Sequence, residues 1–225
     1  MVLYCHMSRI VIFANGILNR PDLLRRYLAP ADRIFCADGG AGHALALGLT
    51  PEAIIGDLDS LSPELVEQLK ARGVVIHRHP TCKDQTDLEL TFRLAVAEKP
   101  DEILLVTALG GRLDQMLANI LLLTRPEYAP VRLTLADGPH WAILLRPEQT
   151  MTISGQPGDT LSLIPLTPTV TNVNFRGVEW PLTQATLPLG STWGISNRLI
   201  AHQATVQIGD GLVLLIHLDQ NYLEE

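Results

Sequence analysis

The apolar residues fall into short runs separated by turn formers, and their spacing changes character once along the chain. Residues 9–14 (RIVIFA) form a β-branched run that breaks at Asn15-Gly16, and residues 21–28 follow with helical apolar spacing. The unit recurs at residues 33–37, with a break at Asp38-Gly39-Gly40 and a helix over 41–47 that Gly48 closes. Residues 53–56 predict a third strand, and Ser62-Pro63-Glu64 opens the next helix with a capping serine and a proline at the first position. Further strands are predicted over 74–76, 102–107 and 131–136, with helices over 87–97 and 113–123, the latter after Gly110-Gly111.

Strands that alternate with helices and are apolar throughout predict a parallel sheet covered on both faces, a Rossmann-like α/β domain. From about residue 144 the pattern shifts to strand-like pieces at 150–153, 160–164, 169–174, 204–208 and 212–217, separated by Gly, Pro and Asn. That pattern predicts a smaller all-β sandwich. The expected division is an α/β domain over residues 7–145 and a β-sandwich domain over 148–225, with a linker near Pro147.

Composition narrows the function classes. In 225 residues, 47% are hydrophobic and the mean hydropathy is +0.19, enough for a sizeable core. A net charge of −7 argues against nucleic acid or an anionic membrane as partner. Cys5, Cys36 and Cys82 show no metal-ligand or CxxC spacing, which fits a reducing, cytoplasmic setting. No run approaches the roughly 18 apolar residues of a membrane span. Residues 1–6 read as an extension outside the fold, with Met7 the more natural start.

The chemistry gathers around acids that follow strand ends. Asp57 and Asp59 close the third strand two residues apart, so in an extended segment both point to one spot. Asp38 follows the second strand directly, and Asp114 lies a few residues beyond the fifth. Parallel sheets bind ligands at the carboxyl ends of their strands. Lys83-Asp84-Gln85-Thr86-Asp87 leads into a helix, where Asp84 or Thr86 equally suits a plain N-cap. Gly110-Gly111-Arg112 precedes another helix whose free backbone donors, with the Arg112 guanidinium, suit a phosphate.

Asp38, Asp57, Asp59, Asp87 and Asp114 at one sheet end oppose each other's ionisation unless a counter-charge joins them. Mg²⁺ resolves this, because it takes oxygen ligands and is shared between carboxylates and a phosphate chain. Neither GxxxxGK[ST] nor a complete GxGxxG is present, so the site is not that of a Walker NTPase or an ordinary dinucleotide domain.

Ala37-Asp38-Gly39-Gly40, Gly56-Asp57-Leu58-Asp59-Ser60, Lys83-Asp84-Gln85-Thr86-Asp87, Gly110-Gly111-Arg112-Leu113-Asp114-Gln115 and Ser196-Asn197 together resemble, in order and spacing, the thiamine pyrophosphokinase family. The resemblance runs over about residues 10–216 and implies a homodimer that moves pyrophosphate from ATP to thiamine. It implies Asp57, Asp59 and Asp87 as the Mg²⁺ and triphosphate site, with Asp38 in support. Asn15, Asp38, Lys83, Thr86 and Arg112 are implied as ATP contacts, and Asp114, Trp180, Ser196 and Asn197 as thiamine contacts, in a site shared across subunits. Asp87 and Asp114 are the candidates for accepting the hydroxyl proton, with late loss of the proton to water as the alternative. A core aromatic is the competing reading of Trp180 and the preferred one for Trp193.

Two rival functions remain at this point. Asp57-Leu58-Asp59-Ser60 also resembles the start of aspartate-nucleophile phosphatases, with Asp57 as nucleophile. The other rival is a nucleotide- or thiamine-binding module without catalysis.

Overall fold

The computed structural model describes residues 7–222; the expected extension over residues 1–6, Cys5 included, lies outside them. Two compact units divide the chain, Met1–Gly138 and Pro139–Glu225.

In the first unit, strands β1 (Arg9–Phe13), β2 (Arg33–Ala37), β3 (Ala53–Gly56), β4 (Val75–Arg78), β5 (Glu102–Val106) and β6 (Arg132–Asp137) pair in parallel, in the order β6-β5-β1-β2-β3-β4. Every residue of β3 and β5 is buried, as continuous apolar runs covered on both faces require. Edge strand β4 instead leaves Val75 half exposed.

The helices are α1 (Pro21–Leu24), α2 (Gly40–Ala46), α3 (Pro63–Ala71), α4 (Asp87–Ala97) and α5 (Leu113–Leu122). Ser62 caps α3, its Oγ accepting from Leu65 N at 3.2 Å. The expected helix over 21–28 shortens to α1 plus a 3₁₀ turn at Arg25–Tyr27. No side chain caps α1, and Pro30 disfavours helical backbone at Ala29. Helix α5 buries none of its residues fully, and Leu113, Leu117 and Leu121 stand exposed one turn apart.

The second unit contains β7 (His140–Leu145), β8 (Thr150–Ser154), β9 (Thr160–Pro165), β10 (Thr169–Arg176), β11 (Leu182–Pro188), β12 (Asn197–Arg198), β13 (Gln203–Gln207) and β14 (Val213–Leu218). Antiparallel pairing joins β12-β9-β14-β7 on one side and β11-β10-β13-β8 on the other. Leu161, Leu163 and Leu215 from the first group meet Val173, Phe175 and Val206 from the second in one core. Strands β7, β11 and β12 were not among the expected pieces. In β11, Gln184 has a left-handed φ of 47° and the pairing register shifts, so the apolar positions Leu182, Ala185 and Leu187 lose strict alternation.

Asp159 is a buried charge of this unit, with 2% exposure. It accepts from Gln156 N at 2.9 Å and Gln220 N at 3.2 Å, and lies 2.8 Å from His217 Nε2. Burial pushes its carboxyl up, but these hydrogen bonds outweigh burial and hold it below the usual carboxylate range. A group lowered on folding stabilises above its unfolded pKa and ceases to do so as pH falls through the folded value. Asp159→Ala is therefore expected to cost about 2–4 kcal/mol near neutral pH. In urea titrations the gap from the parent protein should narrow below about pH 4.

Candidate active site

The strand order places a topological switch at β1. From β1 the chain steps outward through β2, β3 and β4, then returns to β1's other side with β5. Loops leaving β1 and β5 diverge there and open a crevice at the strands' carboxyl ends. The cavity found there has a volume of about 440 Å³ and is lined by the segments after β1, β2 and β5 and by the starts of α4 and α5.

Backbone contacts fix its rim. Gly16 N donates to Thr107 O at 2.8 Å, and Thr107 Oγ1 donates to Ala14 O at 2.7 Å. Thr107 itself has φ 52°, a left-handed backbone that a β-branched residue adopts only under constraint. The loops after β1 and β5 are thus tied to each other. Gly110 and Gly111, at φ 80° and 73°, turn the chain into α5, whose N-cap Arg112 provides no side-chain cap to the first amides. That leaves a donor-rich helix start at the cavity edge.

Three carboxylates converge beside this cavity: one oxygen each of Asp38, Asp57 and Asp59 lies within 4.8 Å of the others. Asp38 is buried, and its Oδ2 accepts from Ser60 Oγ at 2.6 Å and from Asn15 Nδ2 at 3.5 Å. Its Oδ1 is buried and has no hydrogen-bond partner among the described residues. Asp57 Oδ1 accepts from Asp59 N at 3.2 Å. That bond first, then Thr81 and Lys83, hold the Asp57 carboxyl below the usual range.

Lys83 Nζ lies 2.8 Å from Asp87 Oδ1 and donates to Pro80 O at 3.0 Å. Asp87 lines the same cavity as Asp38. Thr86 caps α4, its Oγ1 accepting from Glu89 N at 3.2 Å. Arg112 donates to both Asp114 oxygens, at 3.1 and 2.5 Å, and this exposed pair holds the Asp114 carboxyl below its usual range. Gln115, given no role in the motif that contains it, and Asn119, which no motif singled out, also line the cavity. Asn119 Nδ2 donates to Ala108 O at 2.9 Å.

The remaining expected residues lie in the second unit. Asn197 is 4% exposed, and its amide bonds both ways to Trp180, accepting from Trp180 N at 3.0 Å and donating to Trp180 O at 2.7 Å. The Trp180 side chain stands 54% exposed, and Ser196 N donates to Ser162 Oγ at 3.0 Å. Trp193, expected in the core, is instead 64% exposed, although the next residue, Gly194, lies against β9 and accepts from Leu163 N at 2.9 Å. Ile195 and Ile200 are exposed as well.

The chemistry of the Asp38, Asp57 and Asp59 donor set fits a hard divalent cation such as Mg²⁺. The orphaned, buried Asp38 Oδ1 marks where positive charge is wanted.

Residues 24–135 match "Thiamin pyrophosphokinase, catalytic domain", and residues 148–213 match "Thiamin pyrophosphokinase, vitamin B1 binding domain". Thiamine pyrophosphokinase of Bacillus subtilis is 28% identical over 210 residues, covering 93% of this chain and 98% of that protein. The crystal structure of the B. subtilis enzyme superimposes with a TM-score of 0.84 at 27% identity, covering 95% of this chain and 100% of that one. That of thiamin pyrophosphokinase from Geobacillus thermodenitrificans gives 0.81 at 29%, covering 96% and 100%. The chain belongs to the thiamine pyrophosphokinase family.

A Cβ at Gly16 would sit 2.4 Å from Thr107 O and 2.7 Å from Leu109 O, both backbone atoms. Gly16→Ala should therefore push the two rim loops apart. The expected loss is about 1–3 kcal/mol of stability in a denaturant titration, with a lowered nucleotide affinity by calorimetry.

Proposed function

We infer that the protein is a pyrophosphotransferase that moves the pyrophosphoryl group of ATP to the hydroxyethyl oxygen of thiamine, giving thiamine diphosphate and AMP. The convergence of Asp38, Asp57 and Asp59 beside a cavity edged by the Gly110-Gly111 turn carries this reading, together with the family to which the chain belongs. The α/β portion, residues 7–145, is proposed to bind ATP, and the β-sandwich portion, 148–225, to bind thiamine and mediate dimerisation. A cytoplasmic location fits the free Cys36 and Cys82, and no helix among the described residues is long and apolar enough to cross a membrane.

In the reaction, the thiamine oxygen attacks the β-phosphorus in line, forming an O–P bond as the bond from that phosphorus to the AMP oxygen breaks. Such transfers depend on positioning and charge neutralisation more than on covalent help. Asp57, Asp59 and Asp87, with Asp38 beside them, are proposed to hold Mg²⁺, which when bound neutralises phosphate charge. Lys83 and Arg112 would exchange Asp87 and Asp114 for phosphate oxygens, while Asn15 and the N-cap Thr86 hold the rim. Asp87 and Asp114 are the candidates to accept the hydroxyl proton, and Asp114 also suits orientation of the thiamine cation.

Trp180, held from behind by Asn197 and followed in the chain by Ser196-Asn197, offers an aromatic face to a cationic ring. Its exposure, with that of Trp193, Ile195 and Ile200, supports burial in a homodimer that shares the thiamine site. The leucine stripe of α5 supports the same assembly.

With ATP, Mg²⁺ and thiamine supplied, chromatography should show AMP and thiamine diphosphate in equal amounts, and EDTA should abolish both. A phosphoaspartate at Asp57 would instead support the phosphatase alternative, and binding without AMP would support the non-catalytic module. Asp59→Asn should lower turnover on the order of 100-fold with little change in thiamine affinity. Sedimentation should give twice the chain mass; full activity in a species sedimenting as a monomer would contradict the shared site.

A further inference from the structure

Ser60 stands between two members of the acidic group. Its Oγ is 2.6 Å from Asp38 Oδ2 and 3.2 Å from Asp59 Oδ1. A hydroxyl has one proton, so it donates fully to only one carboxylate at a time. The shorter contact assigns that proton to Asp38, whose other described Oδ2 partner, Asn15 Nδ2, is at the long distance of 3.5 Å. With Oδ2 fastened in this way, the carboxylate cannot swing, and Oδ1 stays buried without a partner. That oxygen belongs to a side chain only 7% exposed, and its lack of a donor is an observation separate from the clustering of acids. It points to a cation as the missing partner.

Building on the cation-holding role given above to this group, we propose that Ser60 is a positioning residue that sets the spacing of Asp38 and Asp59 for a divalent cation. It touches no reacting atom. Its hydroxyl orients Asp38 by donation and stands 3.2 Å from Asp59 Oδ1, so one side chain links the two acids. Groups that orient metal-ligating carboxylates typically change metal affinity by about 10–100-fold when removed.

The test titrates Mn²⁺ into the full-length protein, following free Mn²⁺ by electron paramagnetic resonance, alone and with α,β-methylene ATP, whose α–β linkage cannot be cleaved. Ser60→Ala is expected to bind Mn²⁺ about 10–100-fold more weakly, and Ser60→Thr, which keeps the hydroxyl, should stay within about threefold of the parent. The Mg²⁺ concentration for half-maximal product formation should rise in parallel in Ser60→Ala while KM for thiamine holds. If Ser60→Ala fails to fold, Ser60→Cys replaces it, keeping the volume and losing the strong donor. Equal Mn²⁺ binding by parent and variant, or no Mn²⁺ bound by the parent, overturns the inference. Failure of the parent to form thiamine diphosphate, with Mn²⁺ binding still dependent on Ser60, would overturn the proposed reaction alone.

Discussion

The rest of the site depends on one costly placement, a carboxylate buried at the end of a parallel strand. Asp38 turns the chain after β2 with a left-handed φ of 44°, while its N–H still donates to Ile55 O at 2.8 Å. Aspartate accepts that backbone more readily than most residues, and the bend aims its carboxylate along the sheet's carboxyl edge. Neighbouring positions are then constrained by Asp38 and by the Asn15 that reaches it. A Cβ at Gly56 would lie 2.9 Å from Asp38 Cβ, and one at Gly39 would lie 2.3 Å from Asn15 Oδ1. These glycines make room for polar side chains, which is a steric demand and not a need for flexibility.

The buried charge is tolerable because the topology delivers compensating groups from separate stretches of chain. The segment after β1 brings Asn15 and the turn after β3 brings Ser60, both donating to Asp38 Oδ2, while the loop before α4 brings Thr81 and Lys83 to Asp57. None of these contacts arises within one element. Parallel neighbours β1, β2 and β3 end at the same edge, so residues some twenty positions apart in sequence become adjacent.

Strand ends and breakers made most of this legible in advance. Continuous apolar runs ending in Asp or Gly marked β1, β2, β3 and β5, and helix α4 runs over the expected residues, with Thr86 as its cap. Helix α1 was overread because apolar spacing carries no information about the missing cap. In the second unit, β7 was missed because its apolar run lies at the end of the range expected for the α/β domain, just before the expected linker, and β11 because a local shift breaks its alternation. Asn197 and Trp193 show the limit at side-chain level. An amide that closes on the backbone of Trp180, seventeen residues away, and an indole turned outward leave no periodic signal.

Under the proposed function, the charges bear on the form in which a nucleotide would enter. Asp38, Asp57 and Asp59 cluster at this end of the sheet, Asp87 lines the cavity beside them, and both basic side chains expected to meet phosphate are already committed, Lys83 to Asp87 and Arg112 to Asp114. A bare triphosphate would meet a net negative field and would have to displace two ion pairs without repayment for the freed carboxylates. Arriving with a divalent cation, the same triphosphate brings the charge that Asp38 Oδ1 lacks. Its oxygens can then take over Lys83 and Arg112 while the cation offsets the acids left behind. Under the proposed reaction, the acids and the Lys83–Asp87 pair would therefore favour the metal complex over the free nucleotide, while the exposed Arg112–Asp114 pair adds little.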